Sequence, residues 1–237
     1  MGLALDVITA VTLENLIKIK CQNLKAFEQK ARELAYTAFR QDKINVVFRI
    51  AKELQELCCN VEDIEDYIIS SNDPHYIYNF AKEIRYANIC KLQTAIIGTQ
   101  KFNYIAKFAC FISGADTNLI EDLIIASNDA RAAYIYLKFG KHPSIHKLKK
   151  IFIKSKKPRY LYTLAQLLTN QEEIDIIQNL IINSQSNMYV RLFAAHIPGA
   201  NIKKLEDRIL ATKDFEEIKK FAKQVNSERL NKLIMLV

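Results

Sequence analysis

The chain has 237 residues, with 34 Lys and Arg against 26 Asp and Glu, a net charge of +8. Half of its residues are hydrophobic in type, which excludes an intrinsically disordered chain. Five Gly and four Pro are too few for the tight turns of a β-sandwich or barrel, and no apolar run approaches the about 18 residues of a membrane span.

Taken in chain order, residues 12–36 read as one or two long helices with Leu13, Leu16 and Ile17 on one face. Val46, Val47, Ile50 and Ala51 form the stripe of a further helix. From residue 61 the chain repeats itself. The phrase Asp66-Tyr67-Ile68-Ile69-Ser70-Ser71 returns in altered form, and its closing hydroxyl falls at Ser71, Thr99, Ser127, Ser155, Ser184 and Thr212. The steps are 28, 28, 28, 29 and 28 residues.

The columns of this register are chemically uniform. One runs Ile64, Leu92, Ile120, Leu148, Ile177, Leu205 and Leu233; another Ile69, Ile97, Ile125, Ile153, Ile182 and Leu210. A third runs Phe80, Phe108, Tyr136, Leu164, Phe193 and Phe221, followed at the next position by Ala81, Ala109, Leu137, Ala165, Ala194 and Ala222. A fifth runs Ile84, Ile112, Gly140, Leu168, Ile197 and Val225. Within a repeat the spacing is helical: Ile77, Phe80, Ala81 and Ile84 lie on one stripe. Ile50-Ala51 matches Phe80-Ala81 at a step of 30.

Punctuation agrees with two helices per repeat. Asp73, Asp129, Ser186 and Asp214 stand where the second helix needs an N-cap, and Pro74 and Pro158 at its first turn, where a missing N–H costs nothing. Gly114 and Gly199 stand just past its end, where a left-handed residue is wanted. Asn88, Asp116, Ser144 and Asn201 then cap the next first helix. Neither short helix buries its face alone, so neighbours must stack, and the alanine column lets them approach closely. The reading is an all-α fold: a right-handed α-solenoid of about six to seven two-helix repeats over residues 61–237, behind an N-terminal helical cap and degenerate first repeat over residues 1–60. At the far end Leu230, Leu233 and Ile234 form a first helix with no second. It closes the core of the last repeat, or leaves apolar surface for self-association.

The five cysteines, at 21, 58, 59, 90 and 110, are odd in number and contain no C-x-x-C. They read as reduced, mostly buried small hydrophobes in a cytoplasmic protein; the N-terminus lacks the basic start of a signal peptide, and Asp6 interrupts its apolar stretch. His142 and His146 are four apart, but Pro143 lies between them and no Cys or acid is near, so no metal is expected. No Gly-rich phosphate loop, G-x-S-x-G or H-E-x-x-H is present, and neither an enzyme nor a cofactor is expected. The recurring acidic pairs Glu62-Asp63, Glu65-Asp66 and Glu121-Asp122 read as a solvated helix face.

One charge anomaly stands out. From Ala130 to Gln171 there is no Asp or Glu, while Arg131, Lys138, Lys141, Lys147, Lys149, Lys150, Lys154, Lys156, Lys157 and Arg159 give +10. The remainder of the chain is therefore net −2. The same window strains the register, with Leu137 for Ala, Gly140 for Ile and Pro143 for Ala; a three-residue slip would restore Phe139-Gly140-Lys141 as a Phe-Ala-Lys equivalent, and either way its second helix is expected to be irregular. The bland alternative is a lysine-rich surface kept for solubility. As a binding surface it calls for an anionic partner. Eight lysines to two arginines favour diffuse phosphate attraction over bidentate base reading. Tyr134, Tyr160 and Tyr162 are candidates to stack on bases, but Tyr160 and Tyr162 straddle a core column, so at most one faces outward without strain.

The phrases Phe80-Ala81-Lys82-Glu83-Ile84, Phe221-Ala222-Lys223-Gln224-Val225 and Pro198-Gly199-Ala200-Asn201-Ile202-Lys203-Lys204-Leu205 carry a resemblance. Over residues 61–237 the chain resembles short helical repeats, rich in Phe-Ala and Gly-Ala-Asn-Ile, of phage and bacterial mobile-element proteins, within the α-solenoid group that includes HEAT repeats. The resemblance implies an interaction scaffold and, in a phage setting, an inhibitor of a host defence complex of the CRISPR type; it transfers no catalytic residue. The expected partner is a protein or nucleoprotein complex, or nucleic acid at the basic patch, and no membrane. The alternative is a protein–protein scaffold without nucleic-acid contact.

Overall fold

The computed structural model describes residues 23–236, which form fifteen α-helices and no strand. They are α1 (Leu24–Arg40), α2 (Ile44–Glu56), α3 (Glu62–Ser70), α4 (Pro74–Glu83), α5 (Ile89–Gly98), α6 (Phe102–Phe111), α7 (Thr117–Ser127) and α8 (Ala130–Phe139). The remainder are α9 (Ile145–Ser155), α10 (Pro158–Ala165), α11 (Gln171–Asn183), α12 (Asn187–His196), α13 (Ile202–Leu210), α14 (Phe215–Val225) and α15 (Glu228–Ile234). The fold is all-α. Among the described residues no helix is long and apolar enough to cross a membrane. Leu13, Leu16 and Ile17 lie outside the described residues.

The chain forms two compact units. One ends at Ser127 and includes Lys138–Lys141; the other comprises Asn128–Leu137 and the chain from His142 onward. From α1 to α7, and again from α9 to α15, each helix packs on the next in sequence, and second helices also pack on second helices: α2 on α4 and α4 on α6, then α10 on α12 and α12 on α14. The alanine column lies in these contacts, with Ala51, Ala81, Ala109, Ala165, Ala194 and Ala222 all buried. A methyl side chain leaves the backbones room to approach. Leu137 interrupts the column, and it sits in α8, the helix at which one unit gives way to the other.

The turn from first to second helix is built the same way six times. The hydroxyl of Ser71, Thr99, Ser127, Ser155, Ser184 and Thr212 donates to the carbonyl three residues back, at 2.6 to 2.8 Å. At Ser71, Thr99, Ser155, Ser184 and Thr212 it also accepts from the N–H two residues on, at 3.1 to 3.4 Å. The intervening residue then takes the left-handed conformation: Asn72, Gln100, Asn128, Lys156, Gln185 and Lys213 have φ between 52° and 60°. The side chain thus supplies a last bond to the ending helix and fixes the reversal, which is why a hydroxyl recurs here. After the second helix the expected glycines, Gly114 and Gly199, do have positive φ, at 84° and 79°.

Most caps are where the residue types place them. Asp73, Asp129 and Asp214 accept first-turn N–H groups of α4, α8 and α14, and Asn88, Asp116 and Asn201 those of α5, α7 and α13. Ser144 and Ser186 hold the cap positions of α9 and α12, but neither side chain makes a capping bond.

Several expectations need correction. The Ile69 column is only half-buried; the core column is one residue earlier, Ile68, Ile96, Ile124, Phe152, Ile181 and Ile209, each 0% exposed. At the far end Leu233 is 42% exposed and Leu230 fills the core instead. The acidic pairs are not one solvated face: Glu62, Asp66 and Asp122 are exposed, but Glu65 and Glu121 are buried. Of the four described cysteines, all free thiols, none is buried; Cys58 and Cys90 are exposed. Cys21 lies outside the described residues. The second helix of the basic window is regular: α8 spans ten residues with Tyr136 and Leu137 buried in register, so no slip is needed.

Candidate anionic-partner surface

The ten cations of the acid-free window do not form one set. Lys138 and Lys141 belong to the first unit, while Arg131, Lys147, Lys149, Lys150, Lys154, Lys156, Lys157 and Arg159 belong to the second. All are exposed except Lys149, which is half-buried and ion-paired to Glu173 of α11. Lys149 is therefore a structural residue joining α9 to α11. It occupies the register position held elsewhere by Glu65, Gln93, Glu121, Gln178 and Glu206.

On α9, Lys147, Lys150 and Lys154 share a helix face by their spacing of three and seven. Lys156 follows in the left-handed position at φ 52°, and Lys157 stands at the N-cap of α10 without a side-chain capping bond. Arg159 is the most strongly placed cation. One of its guanidinium nitrogens donates to the Tyr134 hydroxyl at 3.1 Å, and the group lies 4.7 Å from the centre of the Tyr134 ring. The hydrogen bond to Tyr134 raises the guanidinium above its ordinary pKa, so it is charged at any relevant pH. Lys157 Nζ lies 5.7 Å from the Tyr160 ring, and the Tyr134 and Tyr160 rings are 5.2 Å apart. A cationic and aromatic cluster thus joins α8 to α10 within the second unit.

The tyrosines serve this cluster before they serve a ligand. Tyr134 is buried, and Tyr162 is half-buried against Tyr189 at 5.9 Å, its hydroxyl accepting from Gln166 at 3.2 Å. Tyr160 keeps partial exposure.

The contrast with other repeats is electrostatic. Elsewhere several cations bridge neighbouring helices to acids: Arg32 to Asp63, Lys52 to Glu83, Lys91 to Asp66, Arg191 to Glu217, and Arg229 to Glu206 and Asp207. In the window Lys149 does the same. Lys150, Lys154, Lys156 and Lys157 make no ion pair among the described residues. Their charge is left for solvent or a partner.

His142 precedes α9 and His146 is its second residue; both are exposed. The Glu/Gln column around Glu65 escaped the reading of the sequence by type alone. Its signal was there, in an acid or amide recurring one position after an apolar core column at the repeat step. Comparison with family models, curated proteins and solved structures finds no match to this chain.

Proposed function

We propose that the protein is a non-catalytic binding scaffold whose basic second unit docks an anionic partner, nucleic acid or nucleoprotein. The observation that carries the reading is the row of cations Lys150, Lys154, Lys156 and Lys157, which make no ion pair among the described residues and lie in a stretch of 42 residues without an Asp or Glu. Arg159, held on Tyr134, adds a pre-oriented phosphate donor beside them. With Tyr134 and Tyr162 engaged in the protein, the surface is suited to phosphate rather than to base edges, so affinity without sequence preference is expected. A nucleoprotein of host defence, which the repeat resemblance implies as a target, presents such phosphates together with protein surface.

The test exchanges Lys150, Lys154, Lys156 and Lys157 together for Glu, leaving the structural Lys149 in place. Binding to a fluorescent single-stranded RNA and to a DNA duplex is measured over a salt series. The native protein should lose affinity linearly in the logarithm of salt, and the variant should bind neither probe while keeping its helical spectrum. Salt-independent binding, or unchanged binding by the variant, refutes the reading.

A second reading, a protein–protein scaffold, has its own observation. Phe111 and Phe139 are 48% and 47% exposed and lie ring against ring at 5.5 Å in the first unit, with Lys138 over the Phe139 ring. Exposed aromatic pairs are the kind of anchor that protein interfaces bury. Pull-down that survives nuclease treatment and is lost in Phe111→Ala would favour it.

A further inference from the structure

Glu65 of α3 is 3% exposed. Its Oε2 accepts from the Asn88 N–H at 2.9 Å, and its Oε1 is buried with no hydrogen-bond partner. Burial pushes the carboxyl above its usual range; the Asn88 bond and the charge of Lys91 only partly oppose this. An orphaned carboxylate oxygen inside a protein is costly, so the position is informative.

The same position in other repeats shows how it is normally satisfied. Gln93 and Gln178 each accept, through Oε1, from the N–H of the next cap, Asp116 and Asn201, both at 2.7 Å. A glutamine makes that bond and brings no charge. Glu206 keeps the acid and is fully partnered: Oε1 accepts from the Ser227 hydroxyl at 2.5 Å, and Oε2 lies 3.3 Å from a guanidinium nitrogen of Arg229. Arg229 stands two residues after the Ser227 cap, where the α5 repeat has Cys90 after Asn88. Lys91 is engaged with Asp66, and no cation among the described residues bonds to Glu65 Oε1.

Glu65 lines a cleft of about 450 Å³ in the first unit, together with Gln55, Asn60, Glu62, Tyr86 and Asn88. Among the described residues two carboxylates line it and no Lys or Arg does. Tyr86 is 78% exposed and offers a free ring face. The volume exceeds a single guanidinium and leaves room for an aliphatic stem.

We propose that this cleft is a binding site for the guanidinium of an arginine, which takes at Glu65 the place that Arg229 takes at Glu206. The planar donor set matches a carboxylate, the Tyr86 ring covers its face, and Glu62 adds a second acceptor. Binding asks the Glu65 carboxylate to turn Oε1 toward the cleft, about a soft terminal torsion. This site shares no residue with the basic surface, and the proposal does not rest on that reading.

Two probes distinguish the source of the guanidinium. N-acetyl-arginine methylamide represents an arginine within a polypeptide, and agmatine a free small molecule; each is titrated into the full chain and followed by calorimetry and by the amide resonances of Glu65 and Asn88. Saturable binding of at least one is expected, and the tighter probe assigns the source. The neutral isostere N-acetyl-citrulline methylamide should not bind. Glu65→Gln should bind roughly tenfold or more weakly. That variant should fold, because glutamine is the native residue at positions 93 and 178. No saturation by either probe up to about 20 mM, equal binding of the citrulline analogue, or unchanged binding by Glu65→Gln at an unchanged melting temperature each overturns the proposal. If Glu65→Gln proves destabilised, Cys90→Arg replaces it as the test; its arginine should fill the vacant role and abolish probe binding, and full binding by Cys90→Arg overturns the proposal.

Discussion

Every turn from a first to a second helix places an L-residue where glycine would be unstrained, and the cost is testable. Gln100, Gln185 and Lys213 have φ of 54°, 60° and 57°. An L-residue in this well costs about 1–2 kcal/mol relative to its right-handed conformation. Glycine removes that cost but adds about 0.4–1 kcal/mol of freedom to the unfolded chain. The net gain is about 0.5–1 kcal/mol for each of Gln100→Gly, Gln185→Gly and Lys213→Gly. The three turns share no partners, so the triple variant should gain about 1.5–3 kcal/mol. In a chain of this size that raises the melting temperature by about 2–4 °C per kcal/mol. Asn72→Gly and Asn128→Gly should change little, because asparagine already tolerates this conformation. Gln100→Ala is the control: it keeps the β-carbon and therefore the cost. The assay is urea denaturation followed by circular dichroism, alongside a thermal melt. A triple variant that is no more stable than the native chain, or a Gln100→Ala that gains as much as Gln100→Gly, refutes the reasoning.

Other predictions test separate features. Ala109→Leu and Ala194→Leu should each destabilise by roughly 1–3 kcal/mol, since both alanines are buried in the contacts between second helices; unchanged melts would count against that packing. Gly199→Ala should cost more than Gly114→Ala. Both have positive φ, but a β-carbon on Gly199 would meet the Gln171 side chain, whose Nε2 donates to the Gly199 carbonyl, whereas at Gly114 the space is nearly open; equal losses in a denaturant titration would contradict this. With a thiol-alkylating reagent near pH 8, Cys58 and Cys90 should label rapidly. Cys110, half-buried and with its thiol pushed up to about 12 by desolvation, should label far more slowly; peptide mapping that finds Cys110 modified first would be the contrary result.

Much of the architecture was legible because it is local. Asp73, Asn88, Asp116, Asn201 and Asp214 cap helices through side chains that reach only two or three residues along their own backbone. Gly114 and Gly199 declare a left-handed residue by lacking a β-carbon. The candidate surface was legible as a composition: ten cations and no acid across 42 residues. Its internal division was not. Whether Lys149 is free or paired to Glu173 depends on α11 lying beside α9, and nothing in the local sequence states that neighbour.

The sequence by itself determined the helices, their caps, the 28-residue step and the place of the excess charge. These follow from chain-local bonding and from counting. Tertiary structure decided which of two adjacent apolar columns is the core, Ile68 and its equivalents rather than Ile69 and its equivalents. Neighbouring residues on a helix point about 100° apart, and both columns are apolar, so only the position of the packed neighbours selects between them. The same cause buried Glu65 while leaving Asp66 in solvent, and turned one member of an acidic pair from a solvated charge into an acceptor for the next helix's cap.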